Sequence, residues 1–75
     1  MNKSRRATLN MIANAIEELK SQLESVRDDE QDAFDNMPES LQESERGETM
    51  QEAIDNMEYA IDSLDDAIDN LNEVF

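Results

Sequence analysis

Seventy-five residues bound a single small domain, and a chain of that length buries only about 60% of the surface its unfolded form exposes, close to the limit of independent stability. Twenty acidic side chains stand against six basic ones, a formal charge of −14, and there is neither Cys nor His. Disulfide staples and the usual zinc sites are thereby excluded, leaving long helices or self-association to supply stability. A surface this anionic repels nucleic acid, nucleotides and anionic membranes, and suits a protein partner whose own surface is basic.

The opening Met1-Asn2-Lys3-Ser4-Arg5-Arg6 is basic but leads into no apolar stretch long enough for a signal peptide, and no run approaches the ~20 apolar residues of a transmembrane helix. With no Cys, which fits a reducing compartment, the expectation is a cytoplasmic protein. Charge is uneven along the chain: residues 1 to 27 hold five bases against three acids, whereas 28 to 75 hold 17 acids against Arg46 alone. Acidic chains with few aromatics are often disordered, but here the apolar residues are regularly spaced. Leu9, Ile12, Ile16, Leu19, Leu23 and Val26 step by three and four alternately, which places them on one stripe of a helix. With Leu9 as heptad position a, that stripe is a/d; it weakens at Glu30 and resumes at Ala33 and Met37. The first helix is predicted over about 4–36, ended by Pro38, which disfavours helical geometry at Met37 and has no N–H to donate.

The only Pro and the only Gly, Pro38 and Gly47, mark a connection over about 37–46, with Ser40 or Ser44 as candidate N-cap and Leu41 as a plug for the end of the core. A second helix follows over about 47–74. Its a positions are Ile54, Ile61, Ile68 and Phe75 and its d positions Met50, Met57, Leu64 and Leu71, within three near-copies of an Ala-Ile-Asp heptad beginning at Ala53, Ala60 and Ala67. Two long helices about a short connection predict an all-α fold, an antiparallel two-helix coiled-coil hairpin forming one domain over 1–75. In that arrangement e positions meet e positions, so Arg6, Lys20 and Arg27 oppose Glu58 and Asp65, while Ala15 faces the Ala53, Ala60, Ala67 row. That row widens the apolar face of helix 2 to three positions in seven, more than one partner helix covers. A homodimer forming a four-helix bundle would cover it, as would a target protein docked on the strip; the plainer alternative is that alanine simply favours helix.

A single glycine cannot build a P-loop, a dinucleotide-binding turn or a nucleophile elbow, and the common general bases and thiol nucleophiles are missing. Neither a catalytic residue nor a cofactor is expected. Glu45/Glu48 and Glu52/Asp55 have the spacing of Mg²⁺-binding helical carboxylates, but Glu52 and Asp55 point outward in the heptad frame. Asp28-Asp29-Glu30-Gln31-Asp32 has Ala33 where a calcium loop needs glycine. No metal site is expected.

The acids of helix 2 occupy b, e and f, away from the seam. Nine of them from Glu48 to Glu73, with no Lys or Arg between, span roughly 38 Å of helix, about one charge per 4 Å, beside about one per 3.4 Å for a DNA strand. A protein that grips phosphates with Lys and Arg could grip this helix. The candidate partner-binding residues are Glu52, Asp55, Glu58, Tyr59, Asp62, Asp65, Asp66, Asp69 and Glu73, with Tyr59 able to stack on an arginine of the partner. Solubility is the plainer explanation of an acidic face. It does not require the removal of every base, since like charges three or four apart weaken a helix.

The stretch Asn36-Met37-Pro38-Glu39-Ser40-Leu41-Gln42-Glu43-Ser44-Glu45-Arg46-Gly47-Glu48, leading into the Ala-Ile-Asp repeats, resembles small acidic helical proteins encoded in phages and mobile elements of Gram-positive bacteria, over about half the chain. The resemblance brings no catalytic motif. It implies a setting in which small acidic proteins inhibit nucleic-acid enzymes: uracil-DNA glycosylase, restriction enzymes or CRISPR nucleases. Two functions are therefore expected, first a DNA mimic that occupies the basic cleft of such an enzyme, and as the alternative a non-catalytic adaptor whose helices join a larger bundle.

Overall fold

The computed structural model describes residues 1–74, in which a long helix α1 (Lys3–Asp35) and a long helix α3 (Glu45–Asn72) pack against each other across a four-residue helix α2 (Glu39–Gln42). The chain is an all-α helical hairpin, a rod of 58 × 14 × 12 Å. Phe75, the last expected seam position, lies outside the described residues.

Each helix end follows from its local sequence. Asn2 starts α1 by accepting the Arg5 N–H at 2.8 Å, the side-chain cap that satisfies one orphan donor of a first turn. At the other end the Asn36 N–H returns to Asp32 O at 3.0 Å and the Met37 N–H to Phe34 O at 3.1 Å, after which Pro38 has no N–H to continue the ladder. The connection holds a turn of helix of its own: the Pro38 carbonyl accepts from Leu41 and Gln42 at 2.9 and 3.1 Å, so the proline that ends one helix opens the turn of α2. Of the two candidate caps Ser44 serves, its hydroxyl accepting the Gly47 N–H at 3.4 Å and donating to Leu41 O, while Ser40 lies inside α2.

Gly47 sits where α2 and α3 meet. A Cβ there would lie 2.6 Å from Leu41 O and closer still to the carbonyl of Gln42, so only glycine lets the two backbones approach. The same tight turn corrects the expectation for Leu41, whose side chain is exposed. Gln42 instead turns inward, donating through Nε2 to Phe34 O at 2.9 Å and tying the connection to the end of α1.

The core is thin. Ile54, Ile61 and Ile68 of α3 are buried with Ala13 of α1. Around them Leu9, Ile16, Leu23 and Phe34 of α1 and Met50, Met57, Leu64 and Leu71 of α3 are half-buried. Helix 2 therefore presents its expected stripe, but helix 1 does not: the d residues Ile12, Leu19 and Val26 are 43%, 58% and 55% exposed, and the e positions Ala13, Lys20, Arg27 and Phe34 take their place. At 3.6 residues per turn, moving from an a/d to an a/e stripe is a roll of about 50° about the helix axis. Two causes act together. Ala13 lets α1 approach the isoleucines closely, and the e flank of α3 carries a carboxylate that draws Lys20 toward the seam, where the stems of Lys20 and Arg27 cover apolar surface.

The expected charge pairing across the seam is realised once. Lys20 Nζ meets Asp65 Oδ1 at 2.5 Å, and this pair marks the antiparallel level of the helices. Arg27 turns instead to Asp28 on its own helix at 3.0 Å, Arg6 donates to Met1 O at 3.2 Å, and among the described residues Glu58 has no ion-pair partner. Arg27 and Arg6 reach nearer acceptors at no loss, because an exposed pair across the seam contributes little. Ala15, Ala53 and Ala60 remain exposed on the flank opposite the Lys20–Asp65 pair, not pressed against one another, since the roll of α1 carries Ala15 away from the seam.

Candidate functional site

The heptad geometry of α3 divides its circumference into three arcs of different chemistry. The a positions Ile54, Ile61 and Ile68 form the buried arc. The b, e and f positions form an acidic arc: Asp55, Asp62 and Asp69 share one row, Glu52, Tyr59, Asp66 and Glu73 the next, and Glu58 and Asp65 border the seam. Beyond Arg46 in the first turn, the c and g positions are uncharged, with Thr49, Asn56, Ser63 and Asn70 at c and Ala53, Ala60 and Ala67 at g.

Eight of the nine sequence-identified residues (Glu52, Asp55, Glu58, Tyr59, Asp62, Asp66, Asp69 and Glu73) are open to solvent, and the ninth, Asp65, is half-buried. Tyr59 is 70% exposed amid the acids, with its ring free for contact from outside. Asp65 differs because it is bound to Lys20. The hydrogen bond from the ammonium to this carboxylate raises the Lys20 pKa above its ordinary value, against the opposing effect of partial burial, with Asp65, Glu17 and Glu24 adding attraction through their charge. Gln51 donates to Asp55 at 3.1 Å, which orients that carboxylate without neutralising it. Among the described residues no other acid of the arc has a cation partner.

This arrangement is held against local helix energetics. Asp62 has acids three or four residues away at Glu58, Asp65 and Asp66, and like-charged neighbours at that spacing destabilise a helix. The last turn of α3 contains no base, although the carbonyl end of a helix favours cations. Asp69 lies near that end, and Glu73 is its C-cap. A helix shaped for stability alone would interleave Lys with these acids.

Among the described residues no group of three or more carboxylates converges on a point where a metal ion could sit. Glu52 and Asp55 stand side by side on the outer surface, and Glu45 and Glu48 lie in the first turn of α3, where negative charge complements the helix N-terminus.

The structure adds a surface that the a/d reading missed. The roll of α1 brings Ile12, Leu19 and Val26 to the same flank as the c, d and g positions of α3, opposite the Lys20–Asp65 side. From Thr49 to Val74 that arc of α3 carries no charge, and from Thr8 to Val26 the matching arc of α1 carries only Glu18. The signal was available: Phe34, a large apolar residue at e, lies off the a/d stripe, and the acids of α3 avoid c and g entirely. No helix of the described residues is long and apolar enough to cross a membrane.

Comparison with protein-family models, with curated proteins and with solved structures gives no match.

Proposed function

We propose that the acidic arc of α3 is a phosphate-like surface with which the protein occupies the basic nucleic-acid cleft of a DNA-processing enzyme, such as a glycosylase, a restriction enzyme or a CRISPR nuclease, and inhibits it. One observation carries the reading: from Glu48 to Glu73 the acids are gathered on one arc with no base interspersed, and among the described residues the one cation paired with them, Lys20, is bound to Asp65. A partner supplying Lys and Arg would replace like-charge repulsion by charge-assisted contacts along the whole arc. It would do so at nearly the charge spacing of a DNA strand. The likeness of residues 36–48 to small acidic proteins of phages and mobile elements agrees with an anti-defence role in a bacterial host cytoplasm.

The experiment is a neutralisation series, with Asp55, Asp62, Asp66 and Asp69 replaced by Asn, helicity checked by circular dichroism, and inhibition of a panel of such enzymes measured at two salt concentrations. Inhibition that falls with each substitution and with added salt, on a retained fold, supports the reading. Inhibition indifferent to both refutes it. A second reading has its own observation: the uncharged flank, with Ile12, Leu19 and Val26 open to solvent, suits an adaptor that joins other helices while the acids serve solvation. Substitutions on the flank would then abolish function and those on the arc would not.

A further inference from the structure

The hairpin leaves much of its uncharged flank uncovered, where Ile12, Leu19 and Val26 of α1 are about half exposed or more beside the open Ala53 and Ala60 of α3. We propose that a second copy of this chain covers it, flank to flank about a two-fold axis parallel to the rod, so that α1 of each chain packs on α3 of the other in a four-helix bundle.

Area, shape and charge favour this occupant. The uncharged flank runs about 38 Å along α3 from Thr49 to Val74 and is as wide as the 14 Å rod, so two copies face to face cover about 1,000 Å² in total, the size a specific interface must clear. Lys20 and Asp65 stand at one level of the hairpin. A parallel two-fold axis keeps levels unchanged, so to within about one residue, or 1.5 Å, Val26 of one copy comes opposite Ala60 of the other and Leu19 opposite Ala67. Large residues on α1 thus meet small ones on α3 at successive turns, the alternation that lets facing helices interdigitate. Such an interface is self-complementary, as two-fold symmetry requires.

Charge selects the axis. A two-fold axis across the rod would lay α3 on α3, one acidic helix on another. The parallel axis sets each α3 beside an α1 of the other chain, whose segment 1 to 27 holds five bases against three acids. Both acidic arcs then face outward on opposite sides of the bundle, so the dimer does not depend on what the arcs bind. Repulsion between protomers of −14 makes association tighten as salt rises, the reverse of the salt response of the acidic arc toward a basic partner.

Sedimentation equilibrium of the full chain at about 10–200 μM tests the proposal, alongside circular dichroism. The expected mass is twice the 8.6 kDa of the chain, with the dimer strengthened between 0.1 and 0.5 M salt, as screening shortens from about 10 Å. Leu19→Glu with Val26→Glu should raise the dissociation constant by about 100-fold or more, because it sets charges against an apolar face. Should that variant lose its helicity, cysteine pairing decides, since the natural chain has no Cys. Mixed V26C and A60C chains should cross-link to each other well in excess of V26C to itself. A helical wild type that stays at monomer mass over the whole range overturns the proposal and leaves the flank to a different protein. A folded double-Glu variant that dimerises undiminished, or a preference of V26C for V26C, overturns it equally.

Discussion

Neutralising the acidic arc should make the protein more stable and less active, and the size of the first effect can be worked out from the helix. Replacing Asp55, Asp62, Asp66 and Asp69 by Asn leaves helix propensity nearly unchanged and removes about eight like-charge contacts at three- or four-residue spacing, each worth roughly 0.2–0.5 kcal/mol in a helix at low salt. Asp62 alone has three such neighbours, and Asp69 lies close to the unfavourable end of the helix dipole. The four residues are exposed, so no packing is lost. The expected gain is about 2 kcal/mol, which for a domain of this size raises Tm by roughly 10 °C. Thermal unfolding followed by circular dichroism at 222 nm, at a fixed protein concentration in about 20 mM and about 1 M salt, is the assay. The gain should be full at low salt and almost absent at high salt, where screening is complete within about 3 Å. A variant no more stable than wild type at low salt, or one whose gain survives at high salt, would show that repulsion along the arc is not being tolerated and would remove the reason to seek a function in it.

Three further outcomes follow from the packing. Ile61→Ala, at the centre of the buried row, should destabilise by about 2–4 kcal/mol, a large share of the roughly 4–11 kcal/mol expected of a 75-residue chain, as read from urea unfolding. Gly47→Ala should destabilise in the same assay although alanine favours helix by about 1 kcal/mol, because the new methyl meets the carbonyls of Leu41 and Gln42. The Lys20–Asp65 pair holds the lysine pKa above its ordinary 10.5, so its contribution is present in full below that value and is lost as pH rises through the raised one. Thermal melts across the alkaline range should show a decline in stability that D65N flattens.

The second helix was legible in the sequence because every seam position is apolar and its partner meets it squarely along the isoleucine row. Both helix lengths could be read as well, since Pro38 cannot continue a helix and Ser44 with Gly47 can begin one. The facing of the first helix could not be read by the same rule. Its a residues are flanked by two usable stripes, Ile12, Leu19 and Val26 on one side and Ala13, Lys20, Arg27 and Phe34 on the other. Ranking them by hydrophobicity chooses the first, whereas close approach at Ala13 and the pull of Asp65 on Lys20 choose the second. Leu41 failed for a similar reason, because the tight packing of α2 on Gly47 fixes which side chain turns inward regardless of hydrophobicity. The acidic arc needed less judgement: the acids at b and f lie away from the seam and are exposed whichever way the partner helix rolls, and of the two border acids at e only Asp65 was drawn into a contact.

Competition with DNA tests the functional claim most directly. A labelled duplex bound to each candidate enzyme would be titrated with the protein at several duplex concentrations, in about 50 and 200 mM salt. For the enzyme it targets, the protein should displace the duplex completely, the midpoint rising in proportion to duplex concentration and weakening steeply at the higher salt, as phosphate-directed binding does. An inhibited enzyme that keeps its duplex, or a midpoint independent of duplex concentration, would mean that the carboxylates of α3 do not stand where phosphates stand.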